Sequence, residues 1–211
     1  MDGNKVSVLV TFYNQEKYVD DALKSVFMQE TAFPFQVIVG DDGSKDGTVE
    51  KVREWQSKYP DRIRLVIQDR DDTKKYVRGA RASRNRLSIL QYVDTPYFAF
   101  LDGDDYYTDK NKLQKQYDIL EKPENRDCVG CGHNILMYQE DNPEKSIILP
   151  GKFVRQGKYY PKKYWRDYYF HTDTIVFRSK YIKDLPFDLI SDFSMTILLH
   201  IVLFNLVLCI F

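Results

Sequence analysis

Four apolar runs mark out the first half of the chain. Val6 to Phe12, Gln36 to Gly40, Ile63 to Ile67 and Tyr97 to Leu101 are rich in β-branched and aromatic residues and read as buried strands. Between them the spacing changes to three and four residues. Tyr18, Val19, Ala22, Leu23, Val26 and Phe27 share one helical face, with Asn14 ahead of them as an N-cap candidate. Val49, Val52, Trp55 and Tyr59 define a second helix, and Leu87, Leu90 and Val93 place a third over Arg81 to Val93. Strands alternating with helices predict an α/β fold of βαβ units, a mostly parallel sheet covered on both faces. Ligands of such sheets bind beyond the carboxyl ends of the strands. Two acidic turns, at 41–42 and 102–105, fall at such ends.

After Leu120 the pattern is less regular. Cys128 to Tyr138, Ser146 to Leu149 and Asp173 to Arg178 read as strands, and the aromatic stretch Pro161 to Phe170 as a short helix or loop. This half is expected to extend the first sheet in mixed or antiparallel fashion, so that 1–211 is one domain with two halves, 1–105 and 106–211. The run from Met195 to Phe211 is apolar apart from Thr196, His200 and Asn205. It falls short of the roughly 20 apolar residues of a spanning helix. Ser191 to Phe204 is predicted to be a helix apolar nearly all round, which needs cover from later chain, a homodimer partner or peripheral membrane contact.

Composition narrows the class. Lys and Arg total 31 and Asp and Glu 31, so nothing marks a basic nucleic-acid binder or an acidic tail. With 43% hydrophobic residues the chain can bury a core. Three cysteines, Cys128, Cys131 and Cys209, do not make a secreted disulfide scaffold, and no signal peptide precedes the first strand. A cytoplasmic protein, with membrane association as the variant, is the expectation. Cys128-Val-Gly-Cys131-Gly-His133 has no second ligand pair for zinc and does not open a helix as a redox motif does. Buried free cysteines are expected there.

Asp102-Gly103-Asp104-Asp105 carries the strongest chemical signal. Three carboxylates in four residues repel one another unless a cation sits among them. Oxygen ligands of this kind suit Mg²⁺ or Mn²⁺, ions commonly shared with substrate phosphates. An acidic surface turn has equal weight on spacing alone; the apolar strand leading into it favours a site. Asp41-Asp42-Gly43-Ser44 by itself reads as a turn feeding a helix, with Ser44 or Asp46 as cap. Arg81, Arg84 and Arg86 open a helix where phosphate is favoured, though a solvated basic face is expected for at least two of the three.

Together these elements resemble the family two glycosyltransferases of the GT-A fold. Val6 to Phe12 with Tyr13-Asn14-Gln15-Glu16-Lys17-Tyr18 is similar to the family's first strand and nucleotide loop. Asp41-Asp42-Gly43-Ser44-Lys45-Asp46-Gly47-Thr48 resembles its Asp-Asp-Gly-Ser-x-Asp-Gly-Thr signature, Ser83-Arg84-Asn85 its Ala-Arg-Asn element, and Phe100 to Asp105 its Asp-x-Asp segment. The resemblance implies that Thr11, Tyr13 and Glu16 line a nucleotide pocket, with Tyr13 stacking near the base. Asp41 would read the base, most often uracil; Arg84 would approach the diphosphate; Asp102 would lie near ribose and metal, and Asp104 would hold Mn²⁺ or Mg²⁺.

The resemblance further implies direct displacement with inversion, one carboxylate acting as base. Asp192 stands where the family places an acidic residue opening an apolar helix, with Asp188 as rival; His171-Thr172-Asp173-Thr174 resembles an acceptor-side strand start. By the resemblance 1–105 would be the nucleotide-sugar donor half and 106–211 the acceptor half; beyond about His200 the sequence departs from the family, whose members continue into a polar strand, so the acceptor half is expected to be incomplete. The implied partners are a nucleotide-sugar donor, UDP-linked by preference, and a carbohydrate or lipid-linked acceptor of cell-surface polysaccharide synthesis, with no nucleic acid. Two alternatives stand beside this: a non-catalytic nucleotide-sugar binder or inactive fragment, and a sugar nucleotidyltransferase. The latter needs a Gly- and Arg-rich loop after the first strand, where Thr11-Phe-Tyr-Asn-Gln15 stands instead.

Overall fold

The computed structural model describes residues 3–70, 73, 79–139, 141–149, 155–160, 171–182 and the backbone of 207–210. The segments holding Asp188, Asp192, the predicted helix from Ser191 to Phe204 and the stretch from Pro161 to Phe170 lie outside the described residues.

The four apolar runs form strands β1 (Val6–Phe12), β2 (Phe35–Asp41), β3 (Ile63–Ile67) and β4 (Tyr97–Asp102). Helices α1 (Val19–Phe27), α2 (Thr48–Lys58) and α3 (Ala80–Leu90) join them, and α4 (Lys112–Glu121) follows. β1 pairs in parallel with β2 and β4, and β2 with β3. In β1, Val6, Val8, Val10 and Phe12 join a core with Leu23 and Val26 of α1, Val52 of α2 and Leu113 and Leu120 of α4. The alternate positions Leu9, Ile38, Phe98 and Phe100 are equally buried. They face the other side, where α3 packs on β1 and β2. Both faces are therefore covered, which is why these strands read as continuous apolar runs.

Local departures from the sequence pattern have local causes. Asn14 adopts a left-handed φ of 49° and caps no helix. Its side chain accepts the Lys45 N–H at 2.8 Å, and a 3₁₀ turn, Glu16–Tyr18, precedes α1. Asp46, not Ser44, serves the first turn of α2, accepting the Thr48 N–H at 3.1 Å. The third helix ends at Leu90, earlier than Val93.

In the second half the sheet continues through β5 (Cys128–Gly132), β8 (Gly157–Tyr159), β9 (Val176–Arg178) and β10 (Val207–Ile210), while β6 (Ile135–Met137) and β7 (Ile147–Leu149) form a separate hairpin. The strand order is β3-β2-β1-β4-β9-β5-β10-β8. The single strand expected from Cys128 to Tyr138 is broken at His133 and Asn134, and the one from Asp173 starts as a 3₁₀ turn, Thr172–Thr174. β9 runs antiparallel to both β4 and β5, which gives the mixed extension of the sheet. Cys131 is a free, buried thiol, whereas Cys128 is disulfide-bonded, which corrects the expectation of free cysteines at that position. Among the described residues no helix is long and apolar enough to cross a membrane.

Candidate functional site

Strand register gathers the site. Thr11 pairs with Gly40 on one side and Asp102 on the other, and Phe12 pairs with Asp41, so the carboxyl ends of β1, β2 and β4 meet at one rim. Because β9 is antiparallel to β4, its leading turn arrives at the same rim, and Asp173 reaches the end of β4. Two tight fits hold the rim together. A side chain on Gly103 would place a Cβ 2.2 Å from the Phe12 ring, so the backbone can turn there only without one. Buried Asn85 donates to the carbonyls of Phe12 at 3.2 Å and Gly40 at 3.0 Å, clasping β1 to β2. The Asn of the Ser-Arg-Asn element is therefore a structural bridge.

The rim opens into a cleft of about 380 Å³ lined by Thr11, Tyr13, Asp42, Arg70, Arg81 and Arg86, with Asp102 to Asp104 along one side. At one end the Arg70 guanidinium lies 3.5 Å over the Tyr13 ring and pairs with Asp42 at 2.7 Å. Burial raises the Asp42 carboxyl above its ordinary value despite the charges of Arg70, Arg81 and Arg84. At the other end Arg86 donates to both oxygens of Asp102 at 2.5 Å, and Thr11 Oγ1 donates to Asp102 at 3.3 Å.

The predicted residues are not all on the cleft wall. Thr11, Tyr13, Asp102 and Asp104 line it. Asp41 does not: it is 0% exposed, and both its oxygens accept from Ser44, from the backbone N–H at 2.8 Å and from the hydroxyl at 2.5 Å. Its neighbour Asp42 faces the cleft instead. Glu16 is exposed and ties the loop by accepting the Gly47 N–H at 3.1 Å. Arg84 points outward as an exposed residue, whereas Arg81 and Arg86 line the cleft, so two of the three arginines face the site where at most one was expected. Asp192 lies outside the described residues. The Arg70 contribution had no sequence signal, since it comes from the polar stretch after β3.

The three carboxylates of the turn diverge. Asp102 goes to Arg86, Asp104 is exposed toward the cleft, and Asp105 turns to the approach of β9. Besides burial, the charges of Asp104 and Asp102 still act on Asp105 and help to raise its carboxyl, while the Arg86 guanidinium opposes them. Behind the turn, Asp173 Oδ2 accepts the Asp102 N–H at 2.8 Å, and Asp173 Oδ1 lies 3.8 Å from His171 Nδ1. Burial, with the Asp102 charge added, pushes the Asp173 carboxyl up to about 7, and burial also raises Asp105. Deeper still, Lys112 donates to Gln116 at 3.0 Å and sits 4.3 Å over the Tyr107 ring; burial pulls its amine down to about 7.

Exposed Asp104, beside two arginines in an open cleft, fits a divalent ion shared with a diphosphate, because it keeps its oxygens toward solvent. Asp102 fits that role less well, both its oxygens being taken by Arg86.

Known proteins share this architecture. Residues 1–349 of S. aureus TarS, crystallised with UDP, superpose with a TM-score of 0.66 at 19% identity, covering 98% of this chain and 57% of that one. The mannosyltransferase PcManGT of Pyrobaculum calidifontis, in complex with GDP-Man and Mn²⁺, gives a TM-score of 0.60 at 17% identity over 98% of this chain and 56% of its own. These are GT-A neighbours in fold. In sequence, the putative teichuronic acid biosynthesis glycosyltransferase TuaG of Bacillus subtilis is 33% identical over 148 residues, 69% of this chain and 53% of that protein. The chain spans about half the length of such relatives. The family model for glycosyl transferase family 2 matches residues 7–185, and with the motifs on the cleft rim this establishes that the chain belongs to that family.

Proposed function

We propose that this chain binds a UDP-linked sugar in the cleft and transfers the sugar to an acceptor hydroxyl with inversion. The observation that carries the reading is the cleft's polarity. One end offers an aromatic ring and a carboxylate, Tyr13 and Asp42, with Arg70 and Arg81 near that carboxylate; the other offers Arg86 beside Asp102, and Asp104 also lines the cleft. That is the order of a nucleoside diphosphate, base at one end and phosphates at the other. TarS with UDP and PcManGT with GDP-Man and Mn²⁺ support it by analogy of fold.

In this reading Tyr13 stacks on the base and Asp42 accepts its N–H. Asp41 sits one layer back and holds Ser44 and the loop. Glu16 acts in the same indirect way, through Gly47. Arg86 lines the diphosphate end, Arg81 lines the cleft near Asp42, and Arg84 adds long-range charge. Asp104 would hold Mn²⁺ or Mg²⁺, which would supply Lewis-acid neutralisation of charge on the diphosphate. The acceptor oxygen attacks the anomeric carbon as the bond from that carbon to the phosphate oxygen breaks, and UDP leaves. Asp192 takes the hydroxyl proton as general base. Attack from the face opposite the diphosphate inverts the anomeric centre. The acceptor class, a cell-surface polysaccharide or its lipid-linked precursor, draws support from the name of TuaG. The segment from Ser191 onward belongs to the acceptor side.

The test is a transfer assay with a panel of UDP-sugars and Mn²⁺, the product's anomeric configuration read by NMR. Inverted product from wild type and none from Asp192→Ala is expected. Retained configuration, or unimpaired transfer by Asp192→Ala, overturns the mechanism; UDP binding with no transfer from any donor favours a binder.

A further inference from the structure

We propose that Asp105, His171 and Asp173 form a divalent-cation site of their own, behind the aspartate turn, that fills without nucleotide. Ligand atoms of the three lie within 4.8 Å of one another. His171 Nδ1 and Asp173 Oδ1 are 3.8 Å apart. Ligands about 2.1 Å from one metal ion lie roughly 3–4.2 Å from each other, so a shift of a few tenths of an ångström closes the set.

The second observation concerns Asp173 itself. Its side chain is 4% exposed, and one oxygen is spent on the Asp102 N–H. The other, Oδ1, is buried and makes no hydrogen bond among the described residues. A carboxylate oxygen left so is costly, and a cation is the partner that satisfies it. His171 is ready for the same ion. Its Nδ1 meets the Asp173 N–H at 3.5 Å, a contact long enough to yield to an ion. Two carboxylates and one imidazole form an oxygen–nitrogen set that suits Mn²⁺ or Zn²⁺.

This site is separate from the one assigned to Asp104. Asp104 lines the cleft, whereas the next residue, Asp105, is not on the cleft wall and lies with His171 and Asp173, and Asp102 is paired with Arg86. An ion behind the turn would join the end of β4 to the turn that opens β9. It would thereby fix the backbone that presents Asp102 and Asp104, and couple the donor half to the second half. The inference rests on these three side chains alone and stands or falls independently of the nucleotide-sugar reading.

The experiment is a Mn²⁺ titration of the full chain without nucleotide, followed by electron paramagnetic resonance of the free ion and by melting temperature. Wild type should bind about one ion per chain and melt higher with it. Asp173→Asn and His171→Gln should weaken Mn²⁺ by about tenfold or more and lose the thermal shift, while Asp104→Asn should keep both. Asp173→Asn retains an oxygen for the Asp102 N–H; if circular dichroism shows it unfolded, His171→Gln decides. Absence of nucleotide-free Mn²⁺ binding overturns the proposal, a proton shared by Asp105 and Asp173 then being the occupant. So does loss of binding in Asp104→Asn with retention in the other two.

Discussion

The two halves of the molecule are built differently. In the first half, strands of five to seven residues pair in parallel, and β1, β2 and β4 are buried on both faces. In the second half, β6, β7, β8 and β9 are three residues each, and the β6–β7 hairpin leaves Leu136, Met137, Ile147 and Ile148 at least half exposed. Yet each half uses the same device at its centre, a buried side-chain amide that bridges two backbone carbonyls. Asn85 joins Phe12 to Gly40. Gln116 donates to the carbonyls of Cys131 and Thr174, fastening β5 to the turn before β9. The comparison teaches that the cleft's rigidity and the second half's attachment are separable.

The sharpest way to break that comparison is to remove each bridge. Asn85→Leu leaves two strand-end carbonyls short of a donor and should cost about 2–4 kcal/mol, with loss of UDP binding. Gln116→Leu should cost a similar amount, about 2–4 kcal/mol, while UDP affinity measured below the melting transition stays near wild type. Equal loss of affinity in both variants would show that the halves are one cooperative site.

A buried amine provides the pH counterpart. Lys112 titrates near 7 in the fold and at its ordinary 10.5 when unfolded. The depressed value means its contribution is present above 10.5 and is lost as pH falls through about 7, so stability should rise between those limits. Lys112→Met should flatten that rise and stabilise the protein on the order of 1 kcal/mol below pH 7, read from denaturant unfolding at pH 6 and pH 10. The smallest effect belongs to the hairpin. Leu136→Lys, on a residue 58% exposed, should change stability by less than about 0.5 kcal/mol. A large loss there would mean that the hairpin face is covered in solution.

The same contrast explains what the sequence made legible. Buried parallel strands announce themselves as apolar runs, and so β1 to β4 and the rim they share follow from local pattern. Strands of three residues carry too little periodicity, and the break at His133 and Asn134 is imposed by distant packing. Within the site, Asp102, Asp104, Thr11 and Tyr13 were legible because they sit on or beside strand ends. The choice between Asp41 and Asp42 was not, because adjacent residues at a strand end point to opposite sides and only the pairing of Asp41 with Ser44 fixes which is inward. Likewise Arg84 and Arg86 differ by two positions, about 200° of rotation, which puts them on opposite sides of a helix. Asp173 was visible only as a strand start; its place beneath Asp102 depends on the antiparallel direction of β9.

The central claim is that the Tyr13–Asp42 end of the cleft holds a nucleobase while Asp104 brings in a metal. Calorimetric titration of UDP in the presence and absence of Mn²⁺ tests it most directly. UDP should bind with Mn²⁺ and weakly or not at all without it. Asp42→Ala should lower the affinity about tenfold to a hundredfold, the roughly 1.5–3 kcal/mol of a hydrogen bond to a charged acceptor, and should also lower the melting temperature, because Arg70 loses a buried partner. Asp104→Asn should abolish the Mn²⁺ dependence, and Asp41→Ala should weaken binding only through a loosened loop and lower stability. UDP binding that is indifferent to Mn²⁺, to Asp42→Ala and to Asp104→Asn would contradict the account.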